Sequence, residues 1–263
     1  MTKIFSIVNQ KGGVGKTTTT VNVATALAAI GKQVLIIDLD PQGNASTGLG
    51  VEAAQRLHTS YEVLIGQTPI EASIMPTIIP RLFVIPATID LSGAEIELVN
   101  IERREFQLSE SLASVPAQFD YVLIDCPPSL GLLTINALAA SDCVLIPLQC
   151  EFYALEGLSH LLKTVKLIQA HLNERLFVHG VILTMYDKRN KLTEQIEADV
   201  RGFLGSDVYQ TVIPRNVRMS EAPSHGKPAI VYDMKCSGSQ AYIALAREII
   251  LREKHLNSDS NAA

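Results

Sequence analysis

The sequence predicts a single α/β domain in which helices cover both faces of a mostly parallel sheet. Apolar runs rich in Val, Ile and Leu recur along the 263 residues, and helical stretches separate them. Hydrophobic residues make up 47% of the chain, which suffices for a large core and argues against disorder. Nothing suggests a domain break, so we expect one domain over residues 1–256 and a polar tail at 257–263.

The first strand and helix enclose a glycine-rich turn. Residues 4–8 (IFSIV) predict a buried strand, and apolar side chains at helical spacing follow Lys16, namely Val21, Ala24, Leu27 and Ala28. Backbone N–H groups of such a turn and helix start form a phosphate cradle, the P-loop. Its candidate residues are Lys11, Gly12, Gly13, Val14, Gly15, Lys16, Thr17 and Thr18. Lys16 would reach the β- and γ-phosphates, and the Thr17 hydroxyl would ligate Mg²⁺.

Lys11 departs from the general P-loop pattern, whose first glycine falls at Gln10 here. A P-loop needs one lysine at its own phosphates, so Lys11 could serve a second nucleotide. A solvated loop lysine is an equally open interpretation.

The second strand, residues 33–37, ends in two carboxylates, Asp38 and Asp40. Parallel strands present their carboxyl ends where open α/β sheets bind ligands, so Asp38 could hold a Mg²⁺-bound water and Asp40 could orient an attacking water. Asp, Pro, Gly and Asn are also ordinary turn formers, which is the alternative. Asp125 ends a third apolar run (YVLID), the Walker B pattern, and would reach the Mg²⁺ through water.

The remaining pattern continues the alternation of strands and helices. We expect small helices and loops over 44–80, a helical region over 90–114 and a last helix over about 239–256. The predicted strands cover 82–86, 142–147 and 177–185, and the predicted helices cover 132–140, a stretch ending near 171, and 192–204.

The charge balance of 22 basic and 27 acidic residues shows no general nucleic-acid signature. Any DNA site must therefore be a local patch; the loop at 187–191 is basic, although a charged loop is usually just solvated. Four cysteines without metal-type spacing, together with no signal peptide and no bilayer-length apolar run, predict a cytoplasmic location.

Four motifs carry a resemblance to a known family: KGGVGKTT, DLDPQGN, DCPPSLGLLT and IPRNVRMSEAPSHGKP. They resemble the Soj-type ParA group of the ParA/MinD superfamily, P-loop NTPases with a deviant Walker A box, across nearly the whole chain. The resemblance implies an ATPase that uses ATP and Mg²⁺ and forms a homodimer with the nucleotides at its interface. It also implies non-specific binding of double-stranded DNA on the nucleoid, and slow hydrolysis that a ParB-type centromere-binding protein stimulates.

Site residues carry over at matching positions. Of the candidate catalytic residues Lys11, Lys16 and Asp40, Asp40 matches the family's aspartate that supports hydrolysis. Pro214 and Asn216 match contacts to the adenine, and Arg189 and Arg218 match DNA contacts, with neighbouring Lys188 expected to help.

The sequence leaves two other functions open. A MinD-like ATPase that positions the division site would need a membrane-anchoring last helix, but the polar tail contains no apolar anchor, so we expect no membrane partner. A nitrogenase iron protein or a dethiobiotin synthetase would share the fold. The first needs cluster-bridging cysteines, and the second needs another substrate pocket.

Overall fold

The apolar runs of the sequence form the seven strands of one sheet in the computed structural model, which describes residues 2–115 and 118–260 and, at 257–260, the backbone only. The strands are β1 (Lys3–Ile7), β2 (Val34–Asp38), β3 (Met75–Pro76), β4 (Leu82–Ile85), β5 (Tyr121–Asp125), β6 (Cys143–Gln149) and β7 (Phe177–Thr184). Their order in the sheet is β3-β4-β2-β5-β1-β6-β7. All pairs are parallel except β3 with β4, so the predicted fold class is confirmed.

The helices are α1 (Lys16–Ala29), α2 (Asn44–Gly48), α3 (Ser60–Leu64), α4 (Leu91–Glu97), α5 (Gln107–Leu112), α6 (Leu132–Ala140), α7 (Ala154–His171), α8 (Lys191–Leu204), α9 (Val217–Glu221), α10 (Ala229–Tyr232) and α11 (Ser237–Ser260). Short 3₁₀ turns lie between several of them. None of the helices within the described ranges is long and apolar enough to cross a bilayer.

Each central strand contributes to two hydrophobic cores because successive side chains point to opposite faces of the sheet. In β2, Leu35 and Ile37 pack with helices α3 to α8 on one face. Val34 and Ile36 pack on the other face with α1, α10 and α11. The predicted apolar side of α1 is buried in this second core.

Three regions differ from the sequence expectations. The two-residue strand β3 is too short to leave an apolar pattern. The helical region predicted over 90–114 is interrupted between α4 and α5, where Ile101 is extended and Arg103 has φ 54°. The last helix begins at Ser237 and continues to Ser260, four residues into the predicted tail, because residues 257–260 contain neither Gly nor Pro to end it.

The last helix docks on the body of the protein. Tyr242, Leu245 and Ile249 are buried in the second core. The Tyr242 hydroxyl lies 3.0 Å from that of Thr19 in α1. The apolar side of α11 therefore covers α1, the helix that begins at the phosphate loop.

Candidate functional site: a phosphate loop beside two buried carboxylates

The glycine-rich turn joins β1 to α1 at the carboxyl edge of the sheet. Gly13 has φ 76° and Gly15 has φ 90°, a left-handed conformation that residues with a Cβ adopt only with strain. Gly15 is the N-cap of α1 and has no side chain to satisfy the first N–H groups of the helix. Those donors remain available to an anion at the helix start.

Lys16 is buried, with 6% of its surface exposed, and its Nζ donates to the carbonyl of Lys11 at 3.0 Å. Burial lowers the pKa of this amine, which the carboxylates of Asp125 and Asp40 partly oppose. The ammonium therefore lies across the loop, in surroundings that penalise its charge until an anion arrives.

Asp125 lies at the end of β5, directly opposite Asp38 of β2 in the sheet register. Its two oxygens accept hydrogen bonds from the hydroxyls of Thr17 at 2.7 Å and Thr20 at 2.9 Å. A hydroxyl that donates its proton to a carboxylate keeps its oxygen lone pairs for a cation. The donor set thus fits Mg²⁺ bound directly by Thr17, with Asp125 behind it.

Asp38 and Asp125 are both fully buried, and the loss of solvation raises the pKa of each carboxyl. The proximity of the two acids adds to the rise for Asp125. Each of these buried carboxyls makes ionisation of the other less favourable. A divalent cation bound nearby would stabilise the ionised form of both.

The carboxylate of Asp38 is held by the loop that follows it. It accepts hydrogen bonds from the Asp40 N–H at 3.2 Å and from the N–H and hydroxyl of Ser46 at 2.9 and 2.7 Å. Asp40 is 8% exposed and accepts from the Gln42 N–H at 2.9 Å. The loop thereby places both acids at the mouth of the phosphate loop.

Sequence reasoning missed two residues that hold this loop. Ser46 binds Asp38 and also accepts from the Ala87 N–H at 3.1 Å, which ties the loop to the segment after β4. Arg56 donates to the carbonyls of Val51 at 2.8 Å and Ala87 at 2.9 Å. No motif marks these residues, because their partners lie elsewhere in the chain or are backbone atoms.

Lys11 forms an ion pair with Glu151, just before α7, and its side chain is about half exposed. The adjacent Gln10 amide donates to the Gly157 carbonyl at 3.2 Å. In the single chain, Lys11 is therefore paired across the loop and does not extend free into solvent. Phe152 and Tyr153, which follow Glu151, are largely exposed.

Pro214 and Asn216 line a cavity of about 290 Å³ that also contacts Gly15 and Thr18 of the phosphate loop. The Asn216 side chain accepts from the Arg218 N–H at 2.8 Å as the N-cap of α9, and it donates to the Ser237 hydroxyl at 2.9 Å. Met185 lines the same cavity with φ 50°, an unusual conformation that sequence reasoning did not anticipate. These residues lie where a base attached to bound phosphates could fit.

The predicted DNA contacts lie on the surface beside this cavity. Lys188 and Arg189 line a wide cleft of about 820 Å³ together with Arg215, which the sequence analysis had not selected. The Arg189 guanidinium makes two hydrogen bonds of 2.9 Å to Asp187, and Arg218 pairs with Glu221 at 2.7 Å. Each predicted arginine thus has an acidic partner that reduces its local charge.

Comparisons with known proteins agree with this geometry. The sequence profile of a family described as "AAA domain" matches residues 2–178. The chain is 57% identical to the chromosome partitioning protein ParA of Caulobacter vibrioides, with 96% of this chain and 95% of that protein covered. It is 56% identical to the sporulation initiation inhibitor protein Soj of Bacillus subtilis, with 95% and 98% covered.

A solved structure shares the whole architecture. A cobyrinic acid a,c-diamide synthase from Mycobacterium smegmatis, with bound ADP and magnesium, superposes with a TM-score of 0.85. It is 36% identical, and the alignment covers 97% of this chain and 96% of that one. Given full-length identity above half to ParA and Soj, and the phosphate loop beside paired carboxylates, the chain belongs to the ParA/Soj family of chromosome-partitioning ATPases.

Proposed function

We propose that this partition ATPase binds ATP with Mg²⁺, dimerises around the nucleotides and then binds double-stranded DNA without sequence preference. Hydrolysis, slow by itself and accelerated by a ParB-type protein, separates the dimer and releases the DNA. The observation that carries the proposal is the buried Lys16 across a left-handed glycine loop, beside the Thr17–Asp125 hydrogen bond. The site would operate in the cytoplasm, on the nucleoid.

Each residue of the site has a role in ATP binding. The N–H groups from Lys11 to Thr18 would hold the phosphates, with Lys16 at the β- and γ-phosphates. The Thr17 hydroxyl would bind Mg²⁺ directly, and Asp38 and Asp125 would bind it through water. Pro214 and Asn216 would contact the adenine. Bound Mg²⁺ would supply positive charge at the phosphate oxygens.

Asp40 is the residue we assign to the attacking water. It is nearly buried at the mouth of the loop, and one of its oxygens is engaged by the Gln42 N–H. The carboxylate would orient the water toward the γ-phosphate, a positioning role that leaves ATP affinity largely unchanged.

Lys11 is the residue we assign to the second nucleotide of the dimer. In the single chain it is paired with Glu151, so it must leave this carboxylate before it can reach a partner's phosphates. An exposed ion pair of this kind contributes at most about 1 kcal/mol, which a triphosphate can readily replace. Lys11 can therefore exchange Glu151 for a partner's phosphates when a dimer forms.

DNA binding would use Lys188, Arg189 and Arg218 on each protomer. Because the net charge is −5 and both arginines already have acidic partners, one chain offers a weak patch. A dimer presents two patches to one duplex and so raises the affinity without a change in either patch. This makes ATP the switch for DNA binding.

The deciding experiment measures binding to an unrelated duplex with ATP, ADP and no nucleotide, each at two salt concentrations. We expect the wild type to bind DNA tightly and in a salt-sensitive way with ATP but not with ADP or without nucleotide. Lys16→Ala should not bind DNA under any of these conditions. Equal binding in all three nucleotide states would contradict the proposal.

The MinD-like alternative is disfavoured by the packing of α11. A membrane anchor needs a free apolar side, whereas Tyr242, Leu245 and Ile249 are buried in the core. Flotation with anionic liposomes tests this directly, and we expect the protein to remain unbound with and without ATP.

A further inference from the structure

Helix α4 and the turns on either side of it carry three exposed apolar residues that the fold does not use. Ile89, Ile96 and Val99 are 64%, 75% and 52% exposed. The Ser92 N–H donates to the Ile89 carbonyl, so the helical turns begin at the first of these residues. Residues spaced by seven and three lie on one side of such turns, and on that side Ser92 and Gly93 lie between the two isoleucines. We call Ile89, Ile96 and Val99 the α4 stripe.

Acids that form no ion pair lie in the same stretch of the chain as the α4 stripe. Arg103 pairs with Glu110 at 3.2 Å and Arg104 with Glu105 at 3.0 Å, so each of these two cations already has an acidic partner. Within the part of the chain that the structure describes, the carboxylates that form no ion pair here are those of Asp90, Glu95, Glu97 and Glu102. Three of them, at positions 90, 97 and 102, are exposed. The stripe therefore has an acidic rim.

We propose that the α4 stripe docks a basic, amphipathic segment of the protein that stimulates hydrolysis. The inference rests on the proposed function and identifies where its regulator acts. Aliphatic side chains of the segment would cover the isoleucines, and its Lys or Arg side chains would pair with the rim. DNA and anionic lipid surfaces carry the same sign of charge as the rim, so neither fits this surface.

The segment that leads into α4 is hydrogen-bonded to the loop that carries Asp38 and Asp40. The Ala87 N–H, two residues before Ile89, donates to the Ser46 hydroxyl, which in turn donates to the Asp38 carboxylate at 2.7 Å. The Ala87 carbonyl accepts from Arg56, which also binds Val51 in the same loop. Displacement of the α4 start would therefore move the groups that place Asp38 and Asp40.

The middle of α4 contacts the segment that runs from Asp125 to Gly131. A Cβ added at Gly131, just before α6, would overlap Oε1 of Glu95, so this carboxylate occupies the place of a side chain there. That oxygen is buried and has no hydrogen-bond partner in the described ranges. Gly131 ends the segment that begins at Asp125 and passes the phosphate loop, where Pro128 lies 3.9 Å from a Cβ built on Gly12. A protein bound on α4 could thus affect, through this one helix, both the loop that carries Asp38 and Asp40 and the segment from Asp125 to Gly131.

The test uses two single variants, Ile96→Ser and Glu102→Lys, and two matched controls on α7 and its following turn, Leu167→Ser and Glu174→Lys. Leu167 is 60% exposed, and Glu174 is an exposed acid like Glu102. Thermal melting, basal ATPase and ATP-dependent DNA binding should match the wild type in all four. Stimulation by the full-length ParB-type protein of the same genome should fall about five-fold or more in the α4 variants only, as expected for loss of an interface anchor.

Each alternative outcome is distinct. Full stimulation of both α4 variants would overturn the inference, as would an equal loss in the α7 controls. Loss of the ATP-dependent dimer in the α4 variants would show that a second copy covers the stripe, which also overturns it. If the wild type shows no ATP-dependent DNA binding, the proposed function fails first; if only stimulation by this protein is missing in the wild type, the regulator is wrong and the inference fails with it.

Discussion

Lys16 is held inside the phosphate loop by a carbonyl, and burial lowers the pKa of its amine. A cation in these surroundings is compensated best by phosphate oxygens, so its charge should govern nucleotide affinity. The neighbouring Lys11 is paired with a carboxylate of its own chain. We therefore expect the two lysines of this loop to have separable roles.

Replacing Lys16 with alanine should abolish nucleotide binding, because the triphosphate would enter a cradle without its buried cation. Calorimetric titration with Mg-ATP measures the loss. Lys32→Ala is the control, since Lys32 pairs with Asp120 at 3.3 Å away from the loop and should leave affinity unchanged. Binding by Lys16→Ala close to the wild-type affinity would remove Lys16 from the site.

For Lys11→Ala we expect normal ATP binding by the monomer but no ATP-dependent dimer, because the side chain is assigned to the other protomer's nucleotide. Sedimentation with a slowly hydrolysed ATP analogue gives the oligomeric state. Glu151→Ala controls for the broken ion pair, since it also frees the loop but keeps the lysine. A stable, active dimer in Lys11→Ala would return the lysine to the solvated interpretation.

The buried Asp38 predicts a pH effect on stability without nucleotide. Burial raises the pKa of this carboxyl from 3.8 to about 6, so the folded state binds the proton more tightly than the unfolded chain. The stabilisation by the protonated group is complete below the unfolded pKa and is lost as pH rises through the folded one. We therefore compare the free energy of unfolding of Asp38→Asn with that of the wild type at each pH. The difference should favour the variant more at about pH 8 than at about pH 4, by on the order of 1–3 kcal/mol.

Urea denaturation of both proteins at the two pH values tests this expectation. Tyr242 gives a useful comparison, because Tyr242→Phe removes a buried hydroxyl that lies against the Thr19 hydroxyl and, with its pKa raised by burial, does not ionise in this range. A constant difference between Asp38→Asn and the wild type across pH would show that Asp38 titrates alike in the folded and unfolded states.

At the scale of elements, helix α11 connects the C-terminal part of the chain to the phosphate loop. It packs on α1 through Leu245 and Tyr242, and Tyr242 also lines the cavity beside Gly15. The docking of this helix therefore supports both the start of α1 and the predicted base site.

Leu245→Ala should lower the free energy of unfolding by about 2–5 kcal/mol, because Leu245 is fully buried and the substitution leaves a cavity. The same change at Leu251, which is 56% exposed on the same helix, should cost much less. Equal, small losses for the two variants in denaturant titrations would show that α11 is not docked as the structure has it.

At the scale of the whole molecule, a net charge of −5 opposes the binding of a polyanion. In the proposed function, two patches brought together by dimerisation would overcome this opposition, and their phosphate contacts would carry no sequence information. DNA affinity should then depend on ATP and salt and not on base sequence.

Arg189→Glu and Arg218→Glu should each release DNA while the ATP-dependent dimer persists. The log–log salt slope should be roughly −0.9 per phosphate neutralised, and the loss of one arginine per protomer should flatten it by about two units in the dimer. Arg81→Glu is a control on an exposed arginine that donates to the Gly31 carbonyl. Wild-type affinity and slope in both variants would place the DNA patch elsewhere.

Much of the site could be predicted because its groups lie in short contiguous motifs. The loop from Lys11 to Thr18 and the acids at the ends of β2 and β5 can each be recognised within a few residues of sequence. The apolar runs also predicted the sheet, since a parallel strand covered on both faces is apolar throughout. Glu151, Ser46 and Arg56 could not be predicted this way, because each acts on a partner that only the fold brings near.

The sequence by itself determined the phosphate loop, its three acidic neighbours and the layered α/β fold, since local conformation and hydrophobic patterning follow from neighbouring residues. Only the tertiary structure decided that Thr17 meets Asp125, 108 residues away, that Lys11 pairs with Glu151, and that Glu95 of α4 lies over Gly131. These contacts depend on how strands order in the sheet and how helices pack on it. Chain entropy makes such distant pairings the result of the whole fold, and no single motif encodes them.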